Sequence, residues 1–173
     1  MMVHVCDMGR TRTISDDDVF ATIRKLLVGG GEKSVSFSTV ARATGLAAPT
    51  LVQRYGSLDA MLRDALMAAW DKLDTDASAA AETTKGAAAF LKALSAEGWD
   101  VTILAFIMRD PALRKRALAW RGAVEAELAA RFGGGAKGRE AAAILFSSWQ
   151  GQLLWQKAGE RTFRLKDVVK RLG

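Results

Sequence analysis

The chain has 173 residues, half of them hydrophobic, with five Trp, seven Phe and only two Pro. That supports one sizeable core, in one large domain or two small ones sharing an interior, without help from disulfides or metals. A lone Cys6 and a lone His4 exclude an internal disulfide and fall far short of a zinc site, so no metal or cofactor is expected and a reducing cytoplasm is the natural compartment. The net charge of +6 points less clearly to nucleic acid than it first suggests, because residues 1–60 hold seven Lys and Arg against six Asp and Glu.

The opening MMVHVCDMGRTRT lacks the apolar stretch of a signal peptide, and no run in the chain is long enough to span a membrane. Residues 1–13 read as a flexible arm. Arg10 and Arg12 suit a minor groove or backbone phosphates, and a terminus with no specific role is the plainer reading. Ser15 then caps a helix whose first turn is Asp16, Asp17 and Asp18, acids at the positive end of the helix dipole. Val19, Phe20, Ile23, Leu26 and Leu27 form its apolar stripe, and Gly29, Gly30 and Gly31 stop it. GGGEKS at 29–34 and GGGAKG at 133–138 both fail as phosphate loops, since a Walker loop needs Gly-Lys between a strand and a helix.

Residues 37–57, FSTVARATGLAAPTLVQRYGS, are the informative stretch. Phe37, Val40 and Ala41 share one helix face after the cap candidate Ser36, and Gly45 can take the left-handed conformation that ends such a helix. Leu46 plugs the corner, and Leu51 and Tyr55 give a second helix its inward edge. Two helices joined by so short a Gly-containing turn make a helix-turn-helix, whose second helix can lie in the DNA major groove. With Leu51 and Tyr55 inward, the outward arc is Pro49, Thr50, Val52 and Gln53, flanked by Arg54. A solvated face would carry Lys and Glu. This one carries groups that fit base edges: an amide for adenine, a hydroxyl, and apolar carbons for a thymine methyl. From 34 to 56 the only charges are Arg42 and Arg54, both suited to phosphates. Ser38 and Ala48 complete the expected DNA-binding set of Ser38, Arg42, Ala48, Pro49, Thr50, Val52, Gln53 and Arg54.

The run TVARATGLAAPTLVQRYGSLDAML resembles the DNA-binding signature of TetR-type transcriptional repressors. The matching residues are Val40-Ala41, Gly45-Leu46, Thr50-Leu51, Tyr55 and 57–61; the likeness is specific over 19–70 and architectural beyond. Val52 stands where that family usually has Tyr, and Leu58 where it usually has a Lys on a phosphate. The resemblance implies a three-helix reading head, a helical body that binds an inducer, and a dimer built on the last two long helices.

Ser57 opens a helix predicted to run to about Thr75, with Leu58, Met61, Leu62, Ala65, Leu66, Ala69 and Trp70 on its apolar side. It connects head to body and is the element to transmit a shift between them. Residues 76–84 read as a turn and weak helix start, followed by a helix through Phe90, Leu91 and Leu94 to near Gly98. Residues 99–109, WDVTILAFIMR, are apolar almost all round and predict a buried helix. Asp110-Pro111 starts the next, carrying Leu113, Leu118, Trp120, Val124 and Leu128 to about Phe132, its basic start at Arg114, Lys115 and Arg116 reading as a solvated face. Residues 133–138 read as a flexible loop and 139–157 as a helix with apolar residues over more than one arc. Residues 166–172 form a short final helix, shorter than the usual dimer interface of the resembled family.

The expected fold is therefore all-α, with an arm and helix-turn-helix head over 1–56 and a ligand-binding and dimerisation bundle over 57–173. No Ser/His/acid set, metal cluster or nucleotide loop is present, so no enzyme is expected. The expected function is a ligand-responsive repressor that binds operator DNA as a homodimer, since one helix-turn-helix reads too few base pairs. A small apolar effector is expected against Trp99, Phe106, Trp120, Phe146 and Trp149, although aromatic residues at helical spacing also serve simply as core. The other class, a helical ligand-binding or protein-interaction module with weak DNA affinity, is motivated by Val52 and Leu58.

Overall fold

The computed structural model describes residues 14–94, 101–155, 158–159 and 163–173, with side chains from 103 onward in the helix that opens at 101. The arm, with His4, Cys6, Arg10 and Arg12, lies outside the described residues, and so does Trp99. The order is α1 (Asp16–Gly30), a 3-10 turn (Glu32–Ser34), α2 (Phe37–Thr44), α3 (Ala48–Tyr55), α4 (Leu58–Thr83) and α5 (Ala87–Ala93). Then come α6 (Val101–Arg109), α7 (Pro111–Arg131), α8 (Gly135–Trp155) and α9 (Leu165–Leu172). The described residues contain no strand, and no helix among them is long and apolar enough to cross a membrane.

Local signals set the ends of the first elements. The Ser15 hydroxyl accepts from the Asp18 amide at 3.2 Å, with three acids in the first turn of α1. Val19, Ile23 and Leu27 are fully buried along one stripe, while Phe20 and Leu26 are half-buried at its edge. That stripe packs on α4 and α2. The core continues without a break through Met61, Leu62 and Leu66 of α4 to Trp120 of α7 and Phe146 of α8. Each large apolar side chain so buried contributes about 1.5–3 kcal/mol.

Four expectations change. The helix from Ser57 does not stop near Thr75; α4 runs unbroken for 26 residues to Thr83, because its Ala-rich second half is strongly helix-forming and Ala80 is buried. The helix that includes Phe90 ends at Ala93, short of Gly98. The stretch 133–138 is no flexible loop: α8 begins at Gly135, leaving a tight turn in which Gly133 and Gly134 have φ of 83° and 71°. Gly138 is buried where α8 crosses α7, and a Cβ there would meet the Ala129 carbonyl oxygen at 2.9 Å. Finally, α6 is not buried all round. Ile103, Phe106 and Ile107 are inside, but Met108 is 47% exposed, and on α7 Leu118 is 66% exposed. These side chains sit on the outer side of a bundle in which α6 packs mainly on α7.

Candidate nucleic-acid interface

The head is fixed by short-range chemistry. Ser36 and Thr39 form a reciprocal capping box: the Ser36 hydroxyl accepts from the Thr39 amide at 3.1 Å and the Thr39 hydroxyl from the Ser36 amide at 2.8 Å. Gly45 ends α2 with φ 79° and ψ 6°, its amide donating to the Ala41 carbonyl at 2.8 Å. Val40, Ala41 and Leu51 are buried against α1, α4 and each other. Leu46 is half-buried in the corner.

This packing turns the expected reading face outward. Pro49 and Gln53 are exposed, Val52 is 45% exposed, and Thr50 is half-buried. Ala48 is half-buried against the core. On α2, Ser38 and Arg42 are exposed one turn apart, with the Ser38 and Ser36 hydroxyls hydrogen-bonded at 2.9 Å. The α3 cap is Ala47, which supplies no side-chain acceptor, so the positive end of the helix is uncapped, an arrangement that suits a phosphate oxygen.

Arg54 reaches back from α3. Its guanidinium donates to the Ile14 carbonyl at 3.2 Å and lies 3.5 Å from the Asp16 carboxylate. Tyr55, on the inward side, donates its hydroxyl to the same carboxylate, and its ring lies 5.8 Å from that of Phe20. Burial, then the bond to Asp16, pushes the Tyr55 phenol up from 10.0 to about 12. Asp16 thus ties α3 to the start of α1. The three acids suggest only capping from the sequence, and nothing local marks one of them as the partner of residues 38 and 39 positions away. Leu58, where a phosphate-binding Lys would stand in the resembled family, is half-buried at the start of α4.

Behind the head, polar links join it to the body. Arg24 of α1 donates to the Ala65 carbonyl of α4 at 3.1 Å, and burial holds its guanidinium below the usual value. Within the body, Arg63 of α4 donates to the Asp110 carboxylate at 2.7 Å. The other oxygen of Asp110 caps α7, accepting from the Ala112 and Leu113 amides at 2.9 and 3.0 Å. The Leu113 amide above all, with Arg63, holds this carboxyl below the usual range. Arg109, next in sequence, pairs with Glu32 in the 3-10 turn of the head. The basic start of α7 is partly neutralised, with Arg116 paired to both Asp71 and Asp74 of α4.

The aromatic residues of the body meet in one cluster. The Trp120 ring lies 5.6 Å from Trp70, 6.1 Å from Phe146 and 6.4 Å from Trp149. Trp120 also lines a cavity of about 170 Å³ with Trp70, Leu104, Met108, Leu118 and Gln150. Trp149 lines a second cavity, of about 420 Å³, between α5, α8 and α9. Phe106 and Phe146 are buried and line neither. Among the described residues no cluster of His, Cys, Asp and Glu is placed to hold a metal ion.

No family model and no curated protein matches the chain. Solved structures do. A transcriptional regulator from Rhodococcus sp. Rha1 superposes with a TM-score of 0.71 at 18% identity, covering 92% of each chain. The TetR family transcriptional regulator PfmR from Thermus thermophilus gives 0.66 at 20% identity, over 89% of this chain and 94% of that one. The multidrug binding protein EbrR, complexed with malachite green, gives 0.63 at 20% identity over 91% and 96%. The likeness spans about nine-tenths of each chain, and the chain has the fold of the TetR-family transcriptional regulators.

Proposed function

We propose that the protein is a DNA-binding transcriptional regulator that reads its operator with α3 and acts as a ligand-responsive repressor in a homodimer. The observation that carries this is the outward arc of α3: Pro49, Val52 and Gln53 stand in solvent without an acid or a Lys among them, on a helix whose other side is locked into the head. Gln53, Thr50 and Val52 would read base edges. Ser38 and Arg42 of α2, Arg54 and the uncapped start of α3 at Ala48 would hold phosphates. The likeness to regulators over about nine-tenths of the chain supports the same reading.

A dimer is supported by α8, which sets Ile144, Ser148, Gly151 and Trp155 on one face at helical spacing, with Ile144 45% and Trp155 74% exposed. Burying that face against a second copy would remove a large indole from water and bring two heads together. Two recognition helices must lie about 34 Å apart to enter successive major grooves. A ligand releases DNA only if it binds better to a body conformation that breaks this spacing. The similarity to a multidrug binding protein with a dye in its structure supports a ligand-binding body here, with Trp120 and Trp149, each lining a cavity, as contacts.

The deciding experiment is a gel shift with DNA upstream of the protein's own gene, at stated salt, followed by footprinting. A protected two-fold symmetric site with half-sites one helical turn apart is the expected result. Binding indistinguishable from shuffled DNA overturns the reading in favour of a helical binding module.

A further inference from the structure

The groove of about 420 Å³ between α5, the last turns of α8 and the start of α9 has a chemistry of its own. Its apolar wall is Leu91, Leu94, Trp149 and Leu153, with Leu165 opposite. Its polar rim is cationic: Lys92 from α5, Arg164 and Lys166 from the α9 end, with no acidic side chain among the described lining residues. Arg164 is drawn off by Asp167 at 3.1 Å. Lys92 and Lys166 are exposed and take part in no ion pair among the described residues. Gln152 of α8 donates to the Phe163 carbonyl at 2.6 Å, pinning the α9 approach over the groove. The cap of α9 is Arg164, which offers its amides no side-chain acceptor, so the positive end of that helix adds to the same rim.

An apolar wall beneath a rim whose unpaired charges, Lys92 and Lys166, are both positive selects among small molecules by charge. A neutral apolar molecule gains only the wall, and an organic cation gains the wall but is repelled at the rim. An organic anion gains both, and a volume of this size accommodates a ligand of ordinary small-molecule dimensions. We propose that this groove binds an organic acid with an extended apolar body, its carboxylate held between Lys92 and Lys166. The inference names a ligand class for the effector in the reading above and rests on that reading only for its regulatory consequence; binding itself involves no DNA.

The test is calorimetric titration of the full chain, without DNA, with decanoate, decan-1-ol and decyltrimethylammonium. Decanoate is expected to bind once per chain and tightest, the alcohol more weakly and the ammonium weakest. The double variant Lys92→Gln/Lys166→Gln is expected to lose about tenfold in decanoate affinity with the alcohol unchanged, since both lysines are exposed and carry charge rather than packing. Ala88→Trp, which fills the groove from α5, is expected to abolish binding of all three while circular dichroism and melting remain native. Equal affinity for decanoate and decan-1-ol, full decanoate binding by the lysine double variant, or retained binding by a folded Ala88→Trp each overturns the proposal. A protein that binds decanoate this way but never shifts its upstream DNA leaves the groove standing and removes the regulator; a protein that shifts DNA but ignores decanoate does the reverse.

Discussion

On the proposed reading, Gln53→Ala separates base recognition from the other roles of the head. Gln53 is exposed on α3 and makes no hydrogen bond among the described residues, so its loss is expected to change folding stability by no more than about 0.5 kcal/mol. A bidentate amide–adenine contact discriminates by about 1–3 kcal/mol, and a two-fold dimer loses it at both half-sites. The specific site should therefore weaken by about 2–6 kcal/mol, from roughly 30-fold to more than 10⁴-fold, with non-specific binding unchanged. The assay is fluorescence anisotropy on the footprinted site and on a shuffled duplex at one salt concentration, beside a thermal melt. Equal losses on the two duplexes, or none on the specific site, refute the assignment of α3 as reader. Arg54→Ala is the contrasting probe. Its guanidinium bridges to Ile14 and Asp16, so its removal should lower stability by about 1 kcal/mol, weaken binding to every sequence and flatten the salt dependence.

Three further outcomes follow from the geometry. Asp110→Ala removes both the α7 cap and the Arg63 bridge and should cost about 1.5–2.5 kcal/mol in urea unfolding, whereas Asp110→Asn keeps a capping oxygen and should cost less than about 1 kcal/mol. Because the Asp110 carboxyl is held low in the fold, its contribution is full above the ordinary carboxylate range and disappears as pH falls through the lowered value, so the gap between wild type and Asp110→Asn should close only in strong acid. Tyr55 is the sole tyrosine, so tyrosinate absorbance reports it alone: the midpoint should lie near 12 in the folded chain, against 10.0 for a free phenol, and move down in Asp16→Ala. Its raised value means that its contribution is complete below pH 10 and is lost as pH rises through about 12. Gly138→Ala should destabilise by about 1–3 kcal/mol, because the atom its Cβ meets at 2.9 Å is backbone and cannot rotate away; an unchanged melt would mean α7 and α8 can part at no cost.

The sequence made the head legible because its determinants lie within a few residues of one another. Ser36 and Gly45 act on neighbours about one turn away, and Leu51 and Tyr55 stand at helical spacing, so cap, turn and inward edge can be read in line. The second half of α4 was obscured by its Thr, Ser and Asp, which favour turns in isolation, while the intervening Ala run and the burial of Ala80 decide for helix. The glycines at 133–138 look alike in sequence, yet three have positive φ at the turn and one is buried between helices. The polar links from the head to the body and from α4 to α7 were not legible at all. Glu32 and Arg109 are 77 positions apart, and Arg63 and Asp110 are 47, distances over which no periodicity points from one to the other. The cationic groove is equally silent in the sequence, since its lysines, at 92 and 166, come from helices far apart in the chain.

The length of α4 turns angle into distance. Its 26 residues make a rod about 39 Å long at 1.5 Å per residue, with its start against α3 and its far end beside α5. A tilt of about 5° about the far end swings the near end by roughly 3 Å, a substantial fraction of the 3.4 Å that separates neighbouring base pairs. In the proposed dimer, side chains deep in the body would need to rearrange only slightly for the two heads to fall out of step with a duplex.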